Sequence, residues 1–147
     1  MRIADIFKGK PKRTRQYLIE IRFSGFVKDS MRELKQAISR NFHVSQRAII
    51  PHITLVGPIY TEEEQKLVKE VIKVAKKFEL MSLKLDGFDH FDKNVVFVKI
   101  KPSEELEQLR SELVEKLKGF CDLSEFDLDS DFKYHATLVM HDIYRKF

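Results

Sequence analysis

Two short stretches, HITLV at residues 52–56 and HATLV at residues 135–139, repeat a histidine, one apolar residue, a threonine and an apolar pair. They hold two of the five histidines and two of the four threonines in the chain, so abundance does not explain the repetition. In an extended strand the side chains at i and i+2 project from one face. His52 and Thr54 therefore point one way and Ile53 and Leu55 the other. His135 and Thr137 do likewise against Ala136 and Leu138. An imidazole titrates near neutrality, so around a shared group one can take a proton while another gives one. Adjacent hydroxyls can donate hydrogen bonds to an anion held between them. In-line displacement at a phosphodiester would use all four groups. One histidine activates the attacking oxygen, the other protonates the leaving oxygen, and Thr54 and Thr137 hold the non-bridging oxygens.

Metal-assisted hydrolysis is the competing chemistry, and it would draw on His52, His135, His141 and Asp142. Against it, the residue two past each motif histidine is a threonine rather than a carboxylate, and neither H-E-x-x-H nor H-x-D-x-x-H occurs. A serine triad has less support, since the chain contains no G-x-S-x-G.

The elements that must position these groups follow from periodicity. QYLIEIRF, residues 16–23, alternates and is rich in strand formers. Ser30 with Glu33 reads as a capping box opening a helix to about Phe42, with Met31, Leu34 and Ile38 along one face. Residues 43–51 read as a loop, and HITLV as a strand closed by Gly57 and Pro58. Thr61 with Glu64 predicts a second capped helix to about Phe78, buried along Leu67, Val71, Val74, Ala75 and Phe78. MSLKLDGFDHF and VVFVKIK around DKN predict a hairpin. Pro102-Ser103 opens a third helix, with Leu106, Leu109, Leu113, Leu117 and Phe120 inward. The acidic CDLSEFDLDSD reads as a solvated loop, and HATLV as the last strand.

Each H-x-T strand thus closes a strand–helix–strand unit, 35 positions from Tyr17 to His52 and 40 from Val95 to His135. Two related lobes would account for this. No glycine-rich phosphate loop follows the first strand, which argues against a doubly wound parallel sheet. The expectation is an α+β fold with two antiparallel-type sheets facing a central cleft and helices packed outside.

The 147 residues fit one domain, and 43% hydrophobic with 34% charged residues describes a globular protein. No apolar run reaches membrane-span length, and MRIADIFKGK has no signal-peptide core. The single Cys121 excludes an intramolecular disulfide. A cytoplasmic monomer is the plain reading. Net charge is +4, with a basic cluster in residues 1–15 (KGKPKRTR) that reads as a solvated tail or an arm for phosphates.

With both motifs in place, the chain resembles the 2H phosphoesterase superfamily, and within it the 2'-5' RNA ligase / RNA 2',3'-cyclic phosphodiesterase family. The resemblance rests on His52-Ile53-Thr54 and His135-Ala136-Thr137 and extends over nearly the whole chain. It implies a two-lobed fold and hydrolysis of RNA 2',3'-cyclic phosphate ends, or of cyclic nucleotides, to 2'-phosphates. It also implies the related 2'-5' joining reaction, with no metal and no cofactor. Members of that family usually run on to at least one more strand after the second motif, so the expectation is either a compact member or a chain shortened at its C-terminus. His135 reads as the base for water and His52 as the acid, although the sequence alone permits the exchange. The alternative is an RNA-end or nucleotide-binding module with little turnover.

Near the motifs, Arg47, Lys133 and His43 are candidate substrate contacts, with Phe42 beside the last of these. Tyr134 reads as packing, His90 and His141 as structural or surface residues, and Phe88 and Phe91 as core.

Overall fold

A computed structural model describes residues 15–43, 50–92 and 95–140. In chain order they form β1 (Arg15–Arg22), α1 (Gly25–Phe42), β2 (His52–Thr61), α2 (Glu64–Ala75), β3 (Lys84–Phe91), β4 (Val95–Lys101), α3 (Glu104–Leu117), α4 (Glu125–Leu128) and β5 (His135–Met140). The mixed α+β class and the central hairpin are as expected. The two facing sheets are not. The described strands form one five-stranded sheet in the order β1-β2-β5-β4-β3, antiparallel at each pairing. The reason lies in the two H-x-T strands. Instead of standing across a cleft, β2 and β5 pair with each other through Ile53 and Ala136, which fuses the two halves edge to edge.

Ile53 and Ala136 are both fully buried, and their face carries the core. Met31 of α1, Leu67 and Val74 of α2, and Leu106, Leu109, Leu113 and Leu117 of α3 pack there with Val98, Ile100 and Leu138. α1 lies against β5, and α3 against β2, so each helix crosses onto the other half. That exchange gives the halves a joint core, and only the opposite face remains for polar chemistry.

The capping signals were legible in part. Ser103 caps α3 as expected, its hydroxyl accepting from the Leu106 amide at 3.2 Å. α1 begins at Gly25 rather than Ser30, because Gly25 turns straight out of the strand region at φ 55. Thr61 does not form a capping box. It ends β2, donates to the Phe120 carbonyl and accepts from the Glu63 amide, so α2 opens at Glu64. Ala75, expected inside, is exposed.

The acidic stretch is not wholly a solvated loop. Asp122, Glu125, Asp129 and Asp131 are exposed, but Asp127 is 2% exposed within the single turn of α4. Its carboxylate accepts from the Gly57 amide at 2.9 Å and from the Ser124 hydroxyl at 2.8 Å. Buried Arg110 completes the tie, donating to the carbonyls of Leu55 at 3.0 Å and Asp127 at 2.8 Å. Its guanidinium lies 3.6 Å from the centre of the Phe132 ring. This network clamps the segment before β5 onto β2 beside Thr54. Among the described residues no helix is long and apolar enough to cross a membrane.

Because Arg110 is the donor to two shielded carbonyls, Arg110→Met should cost about 2–4 kcal/mol, whereas Glu125→Gln should stay within about 0.5 kcal/mol. Urea unfolding checks this, the midpoint falling for the first variant with the slope unchanged.

Candidate functional site

His52, Thr54, His135 and Thr137 are each half-buried on the sheet face opposite Ile53 and Ala136. The antiparallel register at Ile53 and Ala136, carried one step each way, sets His52 beside Thr137 and Thr54 beside His135. The four groups therefore make a compact diagonal array on the two central strands. An axis normal to the sheet nearly exchanges the halves, and each motif supplies one member of each type.

Both imidazoles are held by the same device. The Nδ1 of His52 lies 2.8 Å from the Ile50 carbonyl, and the Nδ1 of His135 lies 2.7 Å from the Lys133 carbonyl. A carbonyl can only accept, so each Nδ1 carries the hydrogen. That fixes the neutral tautomer and leaves Nε2 as the atom that gains or loses a proton. The carbonyl two residues before each motif thus orients the ring that follows.

The outer strands surround the pair unequally. On β1, Arg22 pairs with His52 and Glu20 with Thr54; on β4, Lys99 pairs with His135 and Phe97 with Thr137. Oε2 of Glu20 stands 3.4 Å from Nε2 of His52, an ion pair whenever that ring is charged. Around His135 the neighbours are aromatic. The Phe91 ring meets it edge-on with centroids 4.9 Å apart, and the Phe97 centroid lies at 5.0 Å. Burial holds the His135 imidazole below its ordinary value of 6.5, and the nearby charge of His52 adds to this, against the opposing Lys133 carbonyl.

The remaining candidates are more scattered. Lys133 contributes its main chain, while its side chain is exposed. His43 is exposed at the C-terminal cap of α1, off the paired strands, and Phe42 is exposed beside it. Arg47, His141 and Asp142 lie outside the described residues, as does the basic stretch before Arg15. Tyr134 is buried against Phe132, and desolvation pushes its hydroxyl up to about 12. Phe88 is not core; it is 58% exposed. Phe91 belongs to the site face, stacked on Phe97 with centroids 4.3 Å apart. Among the described residues no three His, Cys, Asp or Glu side chains gather as a metal-holding group. The hollow of about 670 Å³ bounded by Arg15, Tyr17 and Glu64 contains neither motif histidine. It lies at the far end of β1 from Arg22.

Sequence reasoning missed Glu20, Phe91 and Phe97. Alternation in QYLIEIRF does put Glu20 and Arg22 on one face, but nothing in that segment says which strand it pairs with.

Similarity to known proteins is consistent with this picture. The family model described as the 2'-5' RNA ligase superfamily matches residues 24–142, which contain both motifs. A protein of Geobacillus sp. (strain WCH70) is 27% identical over 92 residues, 60% of this chain and 53% of the relative. One of Geobacillus kaustophilus is 34% identical over 79 residues, 50% and 46% of the two chains. One of Bacillus licheniformis is 25% identical over 92 residues, 60% and 54%. All three are provisionally named phosphoesterases. The chain spans about half the length of these curated relatives.

The lowered His135 value has a consequence for stability. Between 6.5 and the folded value the unfolded chain binds a proton that the folded chain refuses. The stability tied to the neutral ring is therefore full above that window and is lost as pH falls through it. Urea unfolding from about pH 7 to about pH 5 should lose stability more steeply in the unaltered protein than in His135→Gln.

Proposed function

The chain belongs to the 2'-5' RNA ligase superfamily, and from that premise we propose that it is a metal-independent phosphodiesterase for RNA 2',3'-cyclic phosphate ends. The observation that carries the reading is the matched pair of Nδ1–carbonyl bonds. They leave two Nε2 atoms on one sheet face with two hydroxyls between them. A binding module needs neither a fixed tautomer nor two proton carriers.

In this mechanism the cyclic phosphate lies over the diagonal array. The hydroxyls of Thr54 and Thr137 donate to its non-bridging oxygens as negative charge builds there. His135, kept neutral by burial, takes a proton from water at Nε2. The water oxygen forms its bond to phosphorus while the bond to the 3'-oxygen breaks in line. His52 gives its Nε2 proton to that departing oxygen, so the product is a 2'-phosphate with a free 3'-hydroxyl. Proton exchange with solvent then replaces the Nε2 proton that His52 gave up and removes the one that His135 took. A 5'-hydroxyl attacking in place of water would give a 2'-5' linkage by the same transfers, so the joining reaction belongs to the same reading.

Lys99, paired in register with His135, brings positive charge to that side of the array, and on the other side Arg22 stands in register with His52 with its guanidinium on Glu20. The charge of Lys99 suits an anionic substrate with further phosphates along an RNA strand.

Incubation with a 2',3'-cyclic mononucleotide, followed by chromatography, should yield the 2'-phosphate and should do so in a strong chelator. Replacing His52 or His135 by alanine should lower kcat about 100-fold or more without loss of the folded circular dichroism spectrum. Full activity in both variants would overturn the assignment.

A further inference from the structure

The near-twofold arrangement offers a comparison that neither half provides alone. Strand β1 flanks His52 as β4 flanks His135. The position beside Thr54 holds Glu20, and the equivalent position beside Thr137 holds Phe97. The two histidines are therefore alike in backbone restraint and unlike in surroundings. We propose that Glu20 is the positioning residue that makes His52 the proton donor of the pair, an inference that rests on the phosphodiesterase reading.

The Glu20 side chain is 17% exposed, so its charge acts in a partly shielded setting. Arg22 holds it from the far side, Nε to Oε1 at 2.5 Å, and this leaves Oε2 turned toward His52. Because the Ile50 carbonyl already takes the Nδ1 hydrogen, the mobile proton of His52 sits on Nε2, the atom nearest Glu20. A separation of 3.4 Å is longer than the about 2.7–2.9 Å of a strong charge-assisted hydrogen bond. The carboxylate thus supplies counter-charge to the imidazolium without taking its proton out of use. His135 has no such partner on β4, and its ring is packed by Phe91 and Phe97.

When the bond from phosphorus to the 3'-oxygen breaks, its electron pair stays on that oxygen and the Nε2 proton of His52 moves onto it. Glu20 keeps its charge throughout and touches no substrate atom. Its contribution is confined to the step in which the leaving oxygen needs a proton, and that separates it from a merely structural residue.

The test compares a 2',3'-cyclic mononucleotide with its analogue carrying sulfur in place of the 3'-oxygen, since a thiolate departs without protonation. Glu20→Gln should lower kcat on the oxygen substrate about tenfold with KM within about twofold, and should change turnover of the sulfur analogue by less than about twofold. Glu20→Asp should recover most of the loss. Arg22→Gln, which frees the carboxylate without removing it, should give a smaller loss with the same dependence on leaving group, and it carries the test if Glu20→Gln does not fold. Equal losses on both substrates, or no loss on the oxygen substrate, would overturn the role of Glu20 while leaving the two-histidine reaction standing. No turnover of either substrate by the unaltered protein would overturn the phosphodiesterase reading and this inference with it.

Discussion

The pairing of β2 with β5 at Ile53 and Ala136 is the contact on which the rest of the molecule depends. Each H-x-T motif alone offers one imidazole and one hydroxyl. Only the shared register turns two such pairs into an array that can surround one phosphate. Register in a sheet is set by which face is buried, because a slip of one residue sends every side chain to the other side. Here the penalty for slippage is severe. It would expose Ile53 or Ala136, both fully buried, and drive an imidazole and a hydroxyl in among Met31, Leu106 and Leu138. The hydrophobic face thus specifies the geometry of the polar one.

Restraint of the rings comes from the backbone just ahead of each strand. Residues 50 and 133 each turn a carbonyl onto the following histidine, so orientation and tautomer are set before any ligand arrives. On the proposed reading, such a site has little reorganisation left to perform during reaction. The approach to β5 is itself steadied by Arg110 and Asp127. They bind the 124–128 turn to the main chain of Leu55 and Gly57 on the partner strand. A buried guanidinium and a buried carboxylate on the core side of the sheet thereby help keep the two motifs in line.

Much of this was legible in the sequence, and the remainder was hidden for identifiable reasons. Alternation revealed β1 and β4. Spacing revealed α3 with its Ser103 cap, and the repeated motif revealed which four side chains share a face. Pairing partners were not legible. Strand–helix–strand units suggest two lobes, but whether their inner strands face or join is decided by side-chain volume in three dimensions. The role of Asp127 was hidden by its acidic neighbours, since composition averages five carboxylates of which one is buried. Glu20 and Phe91 were hidden because their importance lies in the register of β1 and β3, not in their own segments. Thr61 misled for a simpler reason. A threonine before a glutamate run fits a capping box, but Thr61 still belongs to β2, and its hydroxyl accepts from the Glu63 amide rather than from that of Glu64.

A fold built from two similar units has a difficulty as an acid–base device. Symmetry makes two equivalent histidines, whereas displacement at phosphorus needs one that arrives protonated and one that arrives bare. The central strands cannot make that distinction, because their motifs and their carbonyl restraints are nearly the same. The strands outside them can. β4 and β3 bring phenyl rings and dryness to His135, which disfavours charge there, while β1 brings a carboxylate to within 3.4 Å of His52. Unlike surroundings around two like groups are the usual physical basis of distinct acid and base roles. On the phosphodiesterase reading proposed above, the repeat supplies the pair, and the unequal outer strands are what would give each member its task.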